Sequence, residues 1–120
     1  GFDSTKGEDT YYLFVDSRGL KRTIKCMNNP NEIVIKASNI RLKYEFEFDK
    51  GPFIRTLIAK KTTNGFTRKA LAFGIAHHYQ KLFGNKRKNG VWVEDLSCVA
   101  VNAVYYNATE DVYEMNVDIK

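Results

Sequence analysis

No apolar run in this sequence approaches the roughly 20 residues needed to cross a bilayer, and no leader-like stretch follows Gly1-Phe2-Asp3-Ser4. No membrane span is expected. A removed leader would leave no trace, so the sequence assigns no compartment. Cysteine is scarce. Cys26 and Cys98 are too few for a disulfide framework or a thiolate zinc site. Both fall in stretches read as strands, which predicts two buried thiols; the alternative is a single disulfide between neighbouring strands. Also missing are a Gly-rich phosphate loop, an activated Ser or Cys motif and any cofactor motif. The two histidines, His77 and His78, are adjacent. On a helix their side chains diverge by about 100 degrees, so they cannot chelate one metal together. No metal site and no cofactor is expected.

The most informative absence is acidic. From Gly51 to Val93 there is no Asp or Glu, against nine Lys and Arg. The net charge of this stretch is +9, while Gly1 to Lys50 carries +1 and Glu94 to Lys120 carries −5.

What is present is ordinary for a globular chain of 120 residues, with 43% hydrophobic and 28% charged residues. Eight Phe, seven Tyr and one Trp supply much apolar area and argue against disorder. Length and the lack of repeats or linkers predict one domain over residues 10–120, preceded by a mobile tail from Gly1 to Asp9.

Tyr11 to Val15 reads as a strand, followed by turn chemistry at Asp16-Ser17-Arg18-Gly19. Leu20, Ile24 and Cys26 set against Lys21, Thr23 and Lys25 suggest a return strand and thus a hairpin. Glu32 to Lys36 is a short strand. Ile40, Leu42, Tyr44, Phe46 and Phe48 alternate with Arg41, Lys43, Glu45, Glu47 and Asp49, which predicts a long strand with one charged face. That face favours an antiparallel sheet. Glu45, Glu47 and Asp49 form a carboxylate row, read as solvated and charge-paired because Arg41 and Lys43 continue it. Phe53 to Ala59 returns as a further strand.

Phe66 to Gly84 predicts the one helix, with Thr67 as N-cap and an apolar stripe of Leu71, Ile75, Tyr79, Leu82 and Phe83. Leu96 to Tyr106 reads as a central strand, and Val112 to Ile119 closes a hairpin onto it. The expected fold is therefore α+β: a mostly antiparallel sheet of about six strands packed by a single helix. The order is four strands, the helix, then two or three strands.

Within the acid-free stretch, Lys60 and Lys61 precede the helix, and Arg68 and Lys69 open it. Cations there are unfavourable by about 0.3–1 kcal/mol each, because a helix N-terminus is already positive. With Thr67 and the free first-turn amides they would suit a phosphate or sulfate. Lys81, Lys86, Arg87 and Lys88 extend the cations to the far end of the helix. The leading expectation is a non-enzymatic binding module with a basic face for an anionic partner, nucleic acid first, held mainly through phosphates. A protein-interaction or secreted effector-like module is the second. It rests on the glycosylation tripeptide Asn107-Ala108-Thr109 and the disulfide alternative; Trp92 is expected in the core, with a partner contact as the alternative. A small hydrolase pairing His77 or His78 with a carboxylate such as Glu94 or Asp95 is the third. Nothing in the sequence points to catalysis.

Overall fold

The structure, a computed structural model, describes residues 8–14, 17–45, 48–85, 89–91 and 99–119. Most of the expected tail lies outside these residues, as do Lys86, Arg87, Lys88, Trp92, Glu94, Asp95 and Cys98.

The fold is α+β. Strand β1 (Glu8–Phe14) opens inside the stretch expected as tail and leads to helix α1 (Ser17–Cys26). Strands β2 (Ile33–Ile35), β3 (Asn39–Tyr44), β4 (Phe53–Ile58) and β5 (Phe66–Thr67) precede helix α2 (Arg68–Phe83). Strands β6 (Val99–Asn107) and β7 (Val112–Ile119) close the chain. Five strands form one sheet in the order β1-β6-β7-β3-β4, and β2 with β5 forms a separate two-stranded ribbon. All neighbours pair antiparallel except β3 and β7, which run parallel and meet at Leu42 and Tyr113. The expected class, the antiparallel pairing and the placement of α2 between strands all hold.

The expected hairpin partner at Leu20 to Cys26 is instead helix α1, so the described residues include helices α1 and α2 where the sequence suggested a single helix. Arg22 explains the difference. A strand that buries Leu20 and Ile24 must also bury Arg22 between them. A helix places Leu20, Ile24 and Met27 on one stripe and turns Arg22 outward. Leu20 is buried in the core, Ile24 and Met27 pack against it, and Arg22 is exposed. Cys26 follows the helix geometry: it is a free, exposed thiol, not the buried strand residue expected.

The long strand expected from Ile40 to Asp49 ends at Tyr44, and Phe48 returns to the core through an isolated bridge to Val91. Ile40, Leu42 and Tyr44 are buried, as their alternation requires. Phe48 joins Tyr44, Tyr79 and Phe83 in an aromatic cluster. Its ring packs edge-on to Phe53 at 5.4 Å and stacks on Tyr79 at 6.1 Å. The cluster locks the C-terminal half of α2 over the β3–β4 hairpin.

Helix α2 forms as its stripe predicts. Leu71, Ile75, Tyr79, Leu82 and Phe83 are buried, with Ala72 and Ala76 beside them. Burying each large apolar side chain is worth about 1.5–3 kcal/mol. That outweighs a cationic first turn at about 0.3–1 kcal/mol per charge. At Gly74 the helix approaches β4 closely, because a Cβ there would lie 2.5 Å from Leu57 Cδ2. Gly65, with φ of 141°, lets the chain pass the Ile35 carbonyl where a Cβ has no room, and so brings β5 onto β2.

Candidate functional site

The N-terminus of α2 is closed by the protein itself. Thr67 Oγ1 accepts from the Ala70 amide at 3.0 Å, as its capping role predicts. The Arg68 amide donates to the Glu32 carbonyl at 3.0 Å and the Lys69 amide to the Pro30 carbonyl at 2.9 Å. None of these three first-turn donors is left to hold a ligand: one is capped by Thr67 and two bond the Pro30–Glu32 loop. The Arg68 side chain is buried as well. It donates to Glu32 Oε1 at 3.1 Å and to the Asn28 and Asn29 carbonyls at 3.2 Å. The expectation that Thr67, Arg68 and the first-turn amides hold an anion is corrected: Thr67 caps the helix, and Arg68 with its neighbouring amides pins the loop between α1 and β2 onto α2.

The other cations fall differently. Lys60 and Lys61 are exposed between β4 and β5, Lys69 is half-buried on the first turn of α2, and Lys81 is exposed on its last turn. Lys21, Arg22 and Lys25 are exposed on α1, which packs against α2. The strand expected there already turned Lys21 and Lys25 away from Leu20 but set Arg22 on its face; the four-residue step from Leu20 to Ile24 is the signal that turns all three outward. Neither helix contains an Asp or Glu. The β6–β7 hairpin is the reverse, carrying Glu110, Asp111, Glu114 and Asp118 without one Lys or Arg.

The acids of that hairpin are engaged locally. Lys43 Nζ bridges Glu110 at 3.1 Å, and this hydrogen bond holds its pKa above the ordinary lysine value. The Arg41 guanidinium donates to the Glu110 and Asp111 carbonyls at 3.0 and 3.2 Å. Tyr106 donates to Asp111 Oδ1 at 2.6 Å, a bond that raises the phenol pKa. The charged face expected on β3 is thus paired with β7 and its turn. A cleft of about 360 Å³ is lined by Asn39, Arg41, Tyr106, Asp111 and Tyr113 among others. Arg41, Tyr106 and Asp111 are already committed to the bonds just described.

His78 and His77 separate as adjacent helix positions must: His77 is exposed, whereas His78 is half-buried. His78 Nδ1 lies 2.7 Å from the hydroxyl of fully buried Tyr44. Burial, reinforced by His77, Arg55 and Lys81, lowers the His78 pKa to about 4. At neutral pH the ring is uncharged and shares one hydrogen bond between Nδ1 and the Tyr44 hydroxyl. Among the described residues no carboxylate is bonded to either histidine, and no group of His, Cys, Asp and Glu could hold a metal ion. Asn107 also has a structural task. Its amide donates to Glu110 and Glu114 at 3.1 and 2.7 Å, and its Oδ1 caps the turn amides of Thr109 and Glu110. A glycan on that nitrogen would disrupt the carboxylate contacts.

Among the described residues no strand pairs with the outer edge of β4. The Ala59 amide donates to the Ser38 carbonyl at 2.9 Å, so by strand alternation the amides of Ile54, Thr56 and Ile58 face away from β3. Ile54 and Ile58 are exposed. No helix among the described residues is long and apolar enough to cross a membrane. No family model matches the chain, and no curated protein or solved structure is significantly similar to it.

Proposed function

We propose that this protein is a non-enzymatic binding module whose helices α1 and α2 present a basic surface to an anionic partner, nucleic acid in the first place. The observation that carries the reading is the charge segregation. Two packed helices without an acid expose Lys21, Arg22, Lys25 and Lys81, with Lys60 and Lys61 in the turn before β5. The carboxylates of the β6–β7 hairpin are bonded locally, Glu110 by Lys43, Asp111 by Tyr106, Glu114 by Asn107 and Asp118 by Asn102. Binding of this kind is dominated by phosphate contact and released counterions, and so falls steeply with salt. Lys86, Arg87 and Lys88 follow α2 in sequence and belong to the same proposal.

The test is fluorescence anisotropy with short oligonucleotides over a salt series. Replacing Lys21, Arg22 and Lys25 together by Ser is expected to weaken binding at low salt about tenfold or more. The slope of log K against log salt should flatten by nearly one for each phosphate no longer neutralised. Unchanged affinity in that variant, or no binding by the native protein at low salt, refutes the reading. Arg68 is left intact because its removal would disturb the fold.

A second reading, a protein-interaction module, is favoured by the outer edge of β4, with which no described strand pairs. A partner strand added there would slow hydrogen exchange at the Ile54, Thr56 and Ile58 amides. Binding on the helices would leave those amides unchanged.

A further inference from the structure

Phe73 is not accounted for by the core. It is 49% exposed, whereas Tyr79 and Phe83 of the same helix are buried. The inner side of the helix is already filled by Leu71, Ile75, Tyr79, Leu82 and Phe83. On the outer side, Lys69 lies one turn before Phe73 and His77 one turn after it, with Lys81 a further turn on. Each step of four residues advances about 6 Å along the axis, so a ring stands between two cations on one continuous band. A bare charged face would repel an apolar ring's natural partners; a mixed band of this kind suits a ligand that is both anionic and flat.

We propose that the exposed face of α2 binds single-stranded nucleic acid, with an unpaired base stacked on Phe73 and the flanking phosphates held by Lys69 and Lys81. The proposal rests on the polyanion reading above and narrows it to one class of strand. A duplex presents phosphates but keeps its base faces covered by stacking, so it can use the cations and not the ring. A single strand offers both, and stacking on an aromatic side chain is tolerant of sequence because every base has a π-face. Charge complementarity sets the location of the strand, and the ring sets its form. Preference among sequences is expected to be weak, since the band presents few groups suited to reading base edges.

Anisotropy is measured with a labelled single strand, the abasic strand of the same length, the matching duplex and poly-glutamate. The native protein is expected to favour the base-bearing strand over the abasic one by about tenfold, the order that one base–aromatic stack supplies. In Phe73→Ala that ratio should fall to near one, and Phe73→Trp should restore or exceed it. Far-UV circular dichroism checks that both variants are folded, which an exposed position permits. Equal affinity for base-bearing and abasic strands, a duplex bound as tightly as the single strand, or poly-glutamate bound equally well overturns the proposal while salt-dependent binding survives. Failure of the native protein to show any salt-dependent binding overturns the polyanion reading and this one with it.

Discussion

The burial of His78 against Tyr44 and beside Arg55 and Lys81 makes stability depend on pH in a defined window. The neutral ring shares a 2.7 Å hydrogen bond with the buried Tyr44 hydroxyl, and burial lowers its pKa from the ordinary 6.5 to about 4. The unfolded chain therefore binds a proton on this residue at a pH where the folded chain does not. Stability from this source is complete above about 6.5, declines as the pH falls from 6.5 toward 4, and is gone below about 4. The difference between the two values corresponds to about 3 kcal/mol as an upper limit. Because the ring is only half-buried, water screens the charge and about 1–2 kcal/mol is the expected decrease.

Urea denaturation of the native protein and of His78→Gln at a series of pH values isolates the effect, since carboxylate titration is common to both. The stability difference between the two should shrink by that amount between pH 7 and pH 4. Imidazole proton shifts in NMR give the His78 pKa directly. A His78 titrating near 6.5 in the folded protein, or parallel stability curves for the two proteins, would refute the reasoning.

Replacing Arg68 by Ala should lower stability by about 1–3 kcal/mol, because it removes the Glu32 ion pair and leaves two loop carbonyls without their donor. The shift in urea midpoint measures it, and an unchanged midpoint would mean that the loop is held by other contacts. Gly74→Ala should destabilise despite the better helix propensity of Ala, by about 1–3 kcal/mol from crowding against Leu57. Combining it with Leu57→Ala should cost less than the two single changes added together, because the space is then free; strict additivity in thermal melts would argue against the contact.

Residues whose neighbours along the chain decide their environment were legible in the sequence. The stripe of α2 and its Thr67 cap, the alternation at Ile40, Leu42 and Tyr44, and the hairpin of β6 with β7 all follow from local periodicity and turn chemistry. Helix α1 was legible too, but only by letting Arg22 veto a strand that satisfied its other neighbours. The charge asymmetry needed no structure at all.

What tertiary structure decided is which of those charges are free. Arg68 and Lys69 follow Thr67 in a stretch without acids, and nothing local shows that Glu32 and the carbonyls of Asn28, Asn29 and Pro30 will reach them. The β2–β5 pairing, made possible by Gly65, brings that loop across more than thirty residues of sequence. The same holds for Lys43 with Glu110 and for Tyr44 with His78, whose partners lie on separate elements. Periodicity reports which face a residue occupies. Whether that face meets water, a carbonyl or a carboxylate depends on contacts between distant segments, and those exist only once the chain has closed its sheet.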